Sequence, residues 1–287
     1  MPELAEVDIA RQQLLSWWRP RQAISCRILD DALLPDASQR QTLTRAIASS
    51  PLTSVRRRGK YLALGLDSGL FVILHLRMTG FLDRRAAPDA SSTARLAIEI
   101  DRAERPWICL EDSRRLATLT LHDASKTSEH PFDSLEAFTS QMGPEPHALR
   151  SGAELRARLG ATTRRLKDAL LDQRVIAGVG NIAISELFHV AAIHPRTRAN
   201  QVSDAALDAL VKAMPPYFDA LIDAHPIEEP MRYVNQGKKS ERDPEHDPFL
   251  IYGHEKELCP SCRAAPVERL TFGGRSTYYC PACQPEE

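Results

Sequence analysis

Four cysteines near the end of the chain constrain its fold more than any other feature of the sequence. They follow the pattern C-x2-C-x17-C-x2-C, at Cys259, Cys262, Cys280 and Cys283. Each C-x2-C pair can place two thiolates on one tetrahedral ion, and the segment between the pairs folds back as a hairpin. Four thiolates complete the coordination shell of Zn²⁺, so the sequence predicts one structural zinc ion that binds no substrate.

Two disulfides are the alternative for the same cysteines. The first residues lack the basic start and apolar core of a signal peptide, so we expect a reducing compartment and a metal site. The sequence contains no apolar run of about 18 residues or more, so no membrane partner is expected. The net charge is −1, and an anionic partner must therefore be met by local basic patches.

Apolar spacing divides the rest of the chain into a strand-rich part and a helix-rich part. Residues 4–18 have helical spacing, and residues 52–123 contain short apolar or alternating runs between turn residues. These runs indicate antiparallel hairpins in a sandwich or barrel. A proline-rich stretch at 142–149 is typical of a hinge, and residues 237–248, GKKSERDPEHDP, predict a flexible loop.

The helix-rich part contains a glycine turn, AGVGN, between predicted helices at 164–173 and 181–193. Asn181 is the expected N-cap of the second helix, where free N–H groups favour an anion such as a phosphodiester. An ordinary helical hairpin with a glycine C-cap is the alternative. A further helix is predicted over 204–224, interrupted or kinked near Pro215 and Pro216.

Basic residues cluster at several points of a chain whose total charge is near zero. These are Arg56, Arg57, Arg58 and Lys60; Arg77; Arg114 and Arg115; and Arg164, Arg165 and Lys167. Arg275 lies at the turn of the predicted finger hairpin. Such residues form either solvated faces or a groove that binds a polyanion.

Several motifs together resemble formamidopyrimidine-DNA glycosylases. They are PELAEV, RRRGKYLAL, HLRMTG, MGPEP, LLDQRVIAGVGNIAISELF, IHPR and GGRSTYYCPACQ, in the family's order over residues 2–284. The resemblance implies an α+β multidomain fold. Residues 1–141 would form an antiparallel β-sandwich led by a helix, residues 142–250 a helix-two-turn-helix domain, and residues 251–287 a zinc-finger hairpin.

The resemblance also implies roles for the catalytic residues. Removal of Met1 would expose the amine of Pro2, which attacks C1′ of the damaged nucleoside and forms a Schiff base. Glu3 matches the family's acid, Glu6 a supporting carboxylate and Lys60 a contact to the phosphates around the lesion. The alternative for Glu3 and Glu6 is that they are acidic residues of the kind favoured in any first helical turn.

Further residues match the family's contacts to DNA. Met78 matches the wedge that fills the gap left by the extruded nucleotide, and Arg114 matches the arginine facing the orphaned base. Leu116 occupies the usual place of a phenylalanine. The remaining matches are His75, Lys167, Asn181 and Arg275. An ordinary core methionine at the end of a strand is the alternative for Met78.

The implied function is a bifunctional DNA glycosylase and AP lyase of base-excision repair. It would remove oxidised purines such as 8-oxoguanine and formamidopyrimidines, then cut the strand by β,δ-elimination. One alternative is an endonuclease VIII-like enzyme for oxidised pyrimidines, or mainly an AP lyase. Another is a non-catalytic protein that binds damaged DNA. The start PEL and the motif HLRM favour oxidised purines.

The expected partner is double-stranded DNA with an oxidised base or an abasic site, bound by a monomer. The resemblance implies a cytoplasmic, nucleoid-associated protein of bacterial type. Leu116 and Ala117 depart from the family's usual phenylalanine and glycine, and the 237–248 segment departs from its pattern over an extruded 8-oxoguanine. These departures bear on the opposite base and on the preferred lesion.

Overall fold

The structure is a computed structural model that describes residues 2–19, 21–88, 93–123, 139–231 and 247–286. It divides into two compact units. The first comprises Met1–Ser140 and Ile222–Arg242, and the second comprises Gln141–Leu221 and Asp243–Glu287. Most of the predicted 237–248 loop lies outside the described residues.

Two antiparallel four-stranded sheets form the body of the first unit. One sheet has the order β1 (Ala23–Ile28), β6 (Ala94–Ile100), β7 (Trp107–Glu111), β5 (Phe81–Arg85). The other has the order β2 (Leu52–Arg58), β3 (Tyr61–Leu66), β4 (Leu70–His75), β8 (Thr118–Asp123). Alternate side chains such as Leu62 and Leu64 in β3 and Leu96 and Ile98 in β6 share one hydrophobic core. The predicted antiparallel sandwich is confirmed.

Two helices pack on these sheets. Helix α1 (Leu4–Trp17) confirms the helix predicted at the start of the chain, and it contacts strands of both sheets. For this reason Ile9 and Trp17, which lie off its apolar stripe, are also buried. Helix α2 (Ala37–Ser49), which packs against β1, was not predicted, because only Leu43 and Ile47 of its residues are buried.

The second unit contains four helices among the described residues and a small hairpin. The helices are α3 (Gly152–Leu159), α4 (Leu166–Leu170), α5 (Asn181–Val190) and α6 (Asp204–Asp223), and the hairpin strands are β9 (Glu268–Phe272) and β10 (Arg275–Tyr279). Helix α6 runs unbroken through Pro215 and Pro216, so the predicted interruption is wrong, whereas the alternative of a kink there stays a prediction. Buried side chains on both sides of the prolines, Val211 and Phe218 among them, hold the helix together. No helix in the described ranges is long and apolar enough to cross a membrane.

The proline-rich stretch that the sequence suggested as a hinge is packed against the glycine turn. The Gly143 N–H donates to the Gln173 carbonyl at 2.9 Å, and the Ala177 N–H donates to the Pro144 carbonyl at 2.9 Å. A Cβ at residue 143 would lie 2.4 Å from the Val175 carbonyl oxygen, so only glycine fits. This stretch therefore supports the turn inside the second unit.

Candidate active site and nucleic-acid interface

The first turn of α1 brings two predicted catalytic carboxyl groups together. Glu3 is the N-cap, and it forms a capping box with Glu6. The Glu3 N–H donates to Oε2 of Glu6 at 2.9 Å. Pro2, Glu3 and Glu6 are all buried. The first unit thus places both carboxyl groups beside the residue that the sequence predicts as the nucleophile.

Glu6 has an unusual proton affinity in this setting. Burial, and then the negative charge of Glu3, raise its pKa from 4.5 to about 7, against the lowering effect of backbone N–H groups. A carboxyl group of this kind exchanges a proton near neutral pH, where an ordinary glutamate is fully ionised. The pair therefore holds one carboxyl group whose charge state depends on pH in the physiological range.

Lys60 and His75 lie at neighbouring ends of two paired strands. Lys60 directly precedes β3, and Tyr61, the first residue of β3, pairs with His75 at the end of β4. The His75 ring packs edge-on against the Tyr61 ring, with 4.5 Å between centroids. Lys60 is only 4% exposed and His75 8% exposed.

His75 is held neutral with a defined tautomer. Burial, and then the nearby charges of Arg77 and Lys60, lower its pKa to about 4. Its Nδ1 accepts the Arg77 N–H at 2.9 Å, which leaves the ring proton on Nε2. At neutral pH the side chain is therefore an uncharged N–H donor.

Met78 and Leu116 lie on two turns of the first unit and expose large apolar side chains. Met78 lies in the 76–80 turn, which joins β4 and β5, and Leu116 in the 112–117 turn, which joins β7 and β8. Each side chain is 40% exposed. Arg114, in the 112–117 turn, is exposed as well. The alternative that Met78 is a core residue is therefore wrong.

In the second unit, Asn181 contacts the finger hairpin. Its Nδ2 donates to the Ser276 carbonyl at 2.9 Å and lies 3.5 Å from the Tyr252 hydroxyl. The predicted N-cap role is wrong, because Gly180 is the N-cap and Asn181 is the first residue of α5. Gly178 has φ of 90°, and the Gln173 side chain accepts its N–H at 2.9 Å, which fixes the turn that aims Asn181.

Arg275 is exposed and begins β10, directly after the Gly273–Gly274 turn. Both glycines have positive φ, 54° and 76°, as a tight two-residue hairpin turn requires. The predicted position of Arg275 at the finger tip is confirmed. The second unit thus brings Asn181 close to the strand that carries Arg275.

Lys167 of α4 contacts the finger hairpin. Its side chain is completely buried, and its ammonium donates to the Thr277 hydroxyl and, at 3.3 Å, to the Ser276 carbonyl. These bonds hold the hairpin on the helix, and the predicted contact of Lys167 to DNA stays a prediction.

Glu186 and Tyr252 complete this part of the second unit, and sequence reasoning missed both. The buried Glu186 carboxylate accepts three backbone N–H groups, from Leu250 at 2.7 Å, Ile251 at 3.1 Å and Tyr252 at 2.7 Å. It thereby fixes the segment that places Tyr252 beside Asn181. A glutamate within the otherwise apolar run AISELF was the available signal.

The four cysteines of the finger have the geometry of a zinc site. Their Sγ atoms lie within 4.8 Å of one another, with 3.9 Å between Cys259 and Cys283 and 3.6 Å between Cys262 and Cys280. A tetrahedron of thiolates at about 2.3 Å from zinc requires sulfur separations of about 3.8 Å. Disulfides need sulfurs about 2 Å apart, so the disulfide alternative is excluded. The donor set fits one structural Zn²⁺.

A cavity of about 850 Å³ in the second unit gathers four arginines, Arg164, Arg165, Arg196 and Arg198. Much of their charge is already compensated. Arg165 lies 3.2 Å from Asp168, Arg196 lies 3.6 Å from Glu286 and Arg164 lies 3.9 Å from Asp172. The predicted basic cluster at 164–167 is not one surface. Arg164 and Arg165 line this cavity, whereas the Lys167 side chain is buried against the finger hairpin.

The β-sandwich led by a helix, the helices around a glycine turn and the four-cysteine hairpin define an α+β protein with a C-terminal zinc finger. Three family models match it: the formamidopyrimidine-DNA glycosylase N-terminal domain at residues 1–119, the H2TH domain of the same glycosylase at 142–224, and a zinc finger found in FPG and IleRS at 256–285. The chain is 31% identical to the formamidopyrimidine-DNA glycosylase of Bacillus subtilis over 99% of both chains. It belongs to the formamidopyrimidine-DNA glycosylase family, as the motifs predicted.

Two solved structures of a Lactococcus lactis relative share the fold. One is a mutant FPG with DNA that contains Fapy-dG, with TM-score 0.80, 25% identity, and coverage of 99% of this chain and 100% of that one. The other is the wild-type protein with DNA that contains an oxidized pyrimidine, with TM-score 0.80, 24% identity and the same coverage. The family makes the chain a DNA glycosylase of base-excision repair with an associated AP lyase activity.

Proposed function

We propose that this glycosylase removes oxidised purines from double-stranded DNA through a Schiff base at the amine of Pro2. The observation that carries the proposal is the buried first turn of α1, where Glu3 and Glu6 lie directly beside Pro2. After Met1 is removed, the Pro2 nitrogen attacks C1′ and the bond from C1′ to the base breaks. The Glu3 carboxylate takes the proton that the Pro2 nitrogen loses and passes it to the sugar oxygen as the ring opens, and the imine then allows both flanking phosphates to leave by β- and δ-elimination.

A terminal amine suits this task because it is less basic than lysine. Its reference pKa is near 8, against about 10.4 for a lysine side chain, so a larger fraction is uncharged and nucleophilic at neutral pH. Negative charge nearby opposes this, since it stabilises the ammonium form. Because burial raises the pKa of Glu6 to about 7, part of that opposing charge is neutralised at physiological pH. Glu6 thereby supports the nucleophile.

The DNA contacts of the proposal come from both units. In the first unit, Lys60 and the Nε2–H of His75 donate to phosphates around the lesion, while Met78 and Leu116 fill the gap left by the extruded nucleotide and Arg114 faces the orphaned base. In the second unit, Asn181 and Arg275 contact phosphates. The proposed modules are residues 1–141, 142–250 and 251–287, acting as a monomer.

Oxidised pyrimidines are the competing substrate class. The relative from Lactococcus lactis has been crystallised with DNA containing Fapy-dG and with DNA containing an oxidized pyrimidine, so the same fold accommodates both. The start PEL and the motif HLRM support purines here. Excision rates on matched duplexes with 8-oxoguanine or 5-hydroxyuracil decide between them, and a clear preference for the pyrimidine overturns the purine assignment. Rapid cutting at abasic sites with no excision of either base would mark mainly an AP lyase.

Borohydride trapping tests the nucleophile directly. Protein confirmed to begin at Pro2 is mixed with a duplex that carries an abasic site, reduced, and mapped by mass spectrometry. We expect the adduct on Pro2. An adduct on Lys60 would make Lys60, and not Pro2, the nucleophile. The absence of any adduct supports the non-catalytic DNA-binding alternative.

A pair of glutamate variants tests the acid. Glu3→Gln removes the proton donor and should slow base excision about 10²-fold or more, which is the usual contribution of general acid catalysis. Glu104→Gln changes an exposed glutamate of the same unit and serves as the matched control. Equal excision rates for the two variants would remove Glu3 from the mechanism.

A further inference from the structure

The two turns that carry Met78 and Leu116 are joined by one buried carboxylate. Asp112 is completely buried, and its Oδ2 accepts the N–H groups of Leu116 and Ala117, each at 2.6 Å. Its Oδ1 accepts the hydroxyl of Thr79, which neighbours Met78. The Thr79–Asp112 hydrogen bond therefore ties the 76–80 turn to the 112–117 turn.

Arg95 is buried and contacts both Asp112 and Asp30. Its guanidinium lies 3.3 Å from Oδ2 of Asp112, donates to the Ala117 carbonyl at 3.1 Å and donates to Asp30 at 2.8 Å. Burial alone would raise the pKa of Asp112, but hydrogen bonds from Ala117, Thr79, Leu116 and Arg114 outweigh it, so the pKa is lowered. Asp112 thus stays ionised and keeps accepting hydrogen bonds at neutral pH.

Each turn contains a residue in the left-handed region. Arg77 and Arg115 both have φ of 55°, a conformation that non-glycine residues rarely adopt. They directly flank Met78 and Leu116. A left-handed conformation at a non-glycine residue is stable only where surrounding contacts hold it. In the 112–117 turn, Asp112 provides several of these contacts as hydrogen bonds to backbone N–H groups.

We propose that Thr79 and Asp112 are positioning residues that set the spacing between the Met78 and Leu116 side chains. This rests on the proposed function, in which both side chains enter the gap left by one extruded nucleotide. A fixed spacing lets them enter together, without ordering two independent turns at each encounter with DNA. Neither Thr79 nor Asp112 needs to touch DNA for this role.

Thr79→Val is the sharpest test, because it removes the hydroxyl, keeps the shape of the side chain and leaves the Asp112 bonds to Leu116 and Ala117 in place. Thr79→Ser restores a hydroxyl. Thr53→Val is the matched control, since Thr53 donates to the Gly65 carbonyl at 2.9 Å elsewhere in the same unit. All variants are compared below their melting temperatures, and Thr79→Ala replaces Thr79→Val if the latter does not fold.

The readout is extrusion of the nucleotide, followed by 2-aminopurine fluorescence next to an 8-oxoguanine, together with excision opposite cytosine and opposite adenine. Thr79→Val removes the hydrogen bond to the Asp112 carboxylate and a longer one, at 3.3 Å, that the hydroxyl accepts from the Arg114 N–H. It should slow the fluorescence change about tenfold or more, and it should narrow the ratio of the excision rates opposite cytosine and opposite adenine. Thr79→Ser and Thr53→Val should remain near the wild type. A lower melting temperature with unchanged extrusion and unchanged base preference overturns the proposal.

A double-mutant cycle gives an independent measure. Met78→Ala and Leu116→Ala should be coupled in extrusion rate when Thr79 is present and additive when Thr79→Val is the background. Equal coupling in both backgrounds overturns the proposal. Borohydride trapping and base extrusion by the wild-type protein show separately whether the proposed function holds. If it forms no borohydride adduct and extrudes no base, the proposed function fails and this inference falls with it.

Discussion

The Glu3 N–H and the Glu6 carboxylate are 2.9 Å apart, so the helix that begins at Leu4 is capped by the same group that lies beside the proposed nucleophile. Capping of the helix and burial beside Glu3 therefore favour opposite protonation states of Glu6. An ionised Glu6 is the better acceptor for the cap, whereas burial beside Glu3 favours the neutral acid. The pKa of about 7 is the resulting balance.

The contribution of Glu6 to the stability of the protein should fall as pH rises toward neutrality. Its pKa is higher in the folded state than the ordinary 4.5, so its contribution to stability is complete below that value and is lost as pH rises through about 7. His75, whose lowered pKa of about 4 acts with the opposite sign, is common to both proteins, so the test is the free energy of unfolding of the wild type minus that of Glu6→Gln. This difference should decline across pH 5.5, 6.5 and 7.5 in urea unfolding. Glu104→Gln, at an exposed position of the same unit, should keep the wild-type slope. A slope that Glu6→Gln leaves intact would assign the titration to another group.

Lys167 and Arg275 should behave differently although both are basic residues near β10. Lys167→Met leaves the buried Thr277 hydroxyl without its donor, at a cost of about 1–3 kcal/mol in the free energy of unfolding, while the Ser276 carbonyl keeps its bond from the Asn181 amide. Arg275→Ala should leave stability nearly unchanged, weaken DNA binding and reduce the slope of log K against log salt by about 1. Urea unfolding and binding titrations between 50 and 200 mM salt, about the range over which such slopes are read, measure both effects. A normal stability for Lys167→Met would contradict its role in holding the hairpin on the helix.

Glu186→Gln should loosen the segment that holds Tyr252. A glutamine side chain has one oxygen acceptor, whereas the Glu186 carboxylate uses both oxygens to accept three N–H groups. Hydrogen exchange should therefore speed up at Leu250, Ile251 and Tyr252, by more than it does in Glu154→Gln, a helix α3 glutamate of the same unit. Unchanged exchange at these three amides would mean that the segment is held by other contacts.

The parts of the structure that could be predicted from sequence are those set by local spacing. Two C-x2-C pairs fix the finger, alternation fixes β3 and β6, and the AGVGN turn is visible because glycine is needed at Gly178. Family motifs supplied the candidate residues around Pro2 and Glu3, which spacing alone did not distinguish from an ordinary helix start.

The parts that could not be predicted depend on contacts between distant segments. Lys167 is buried only because β10, more than 100 residues later, packs over it, and its sequence context is that of a basic cluster. Asp112 follows a strand and has the sequence context of an ordinary turn residue, yet its environment is set by Arg95 and Thr79. In both cases the side chain's partner, and therefore its role, is determined by tertiary packing.

Removal of zinc should change which cysteines react. Burial raises the pKa of the Cys26 and Cys109 thiols to about 12, so little thiolate is available at pH 7.5. With zinc bound, alkylation should therefore be slow at all six cysteines, and a chelator should add rapid labelling at the four finger positions, read by mass spectrometry. Cys26→Ser is the control, because it should not alter the gain of four labels.

The same treatment should weaken DNA binding, since the hairpin that carries Arg275 loses its metal cross-link. A label count that the chelator leaves unchanged would show that these cysteines hold no removable ion, and undiminished DNA binding by the metal-free protein would restrict the finger to a structural role.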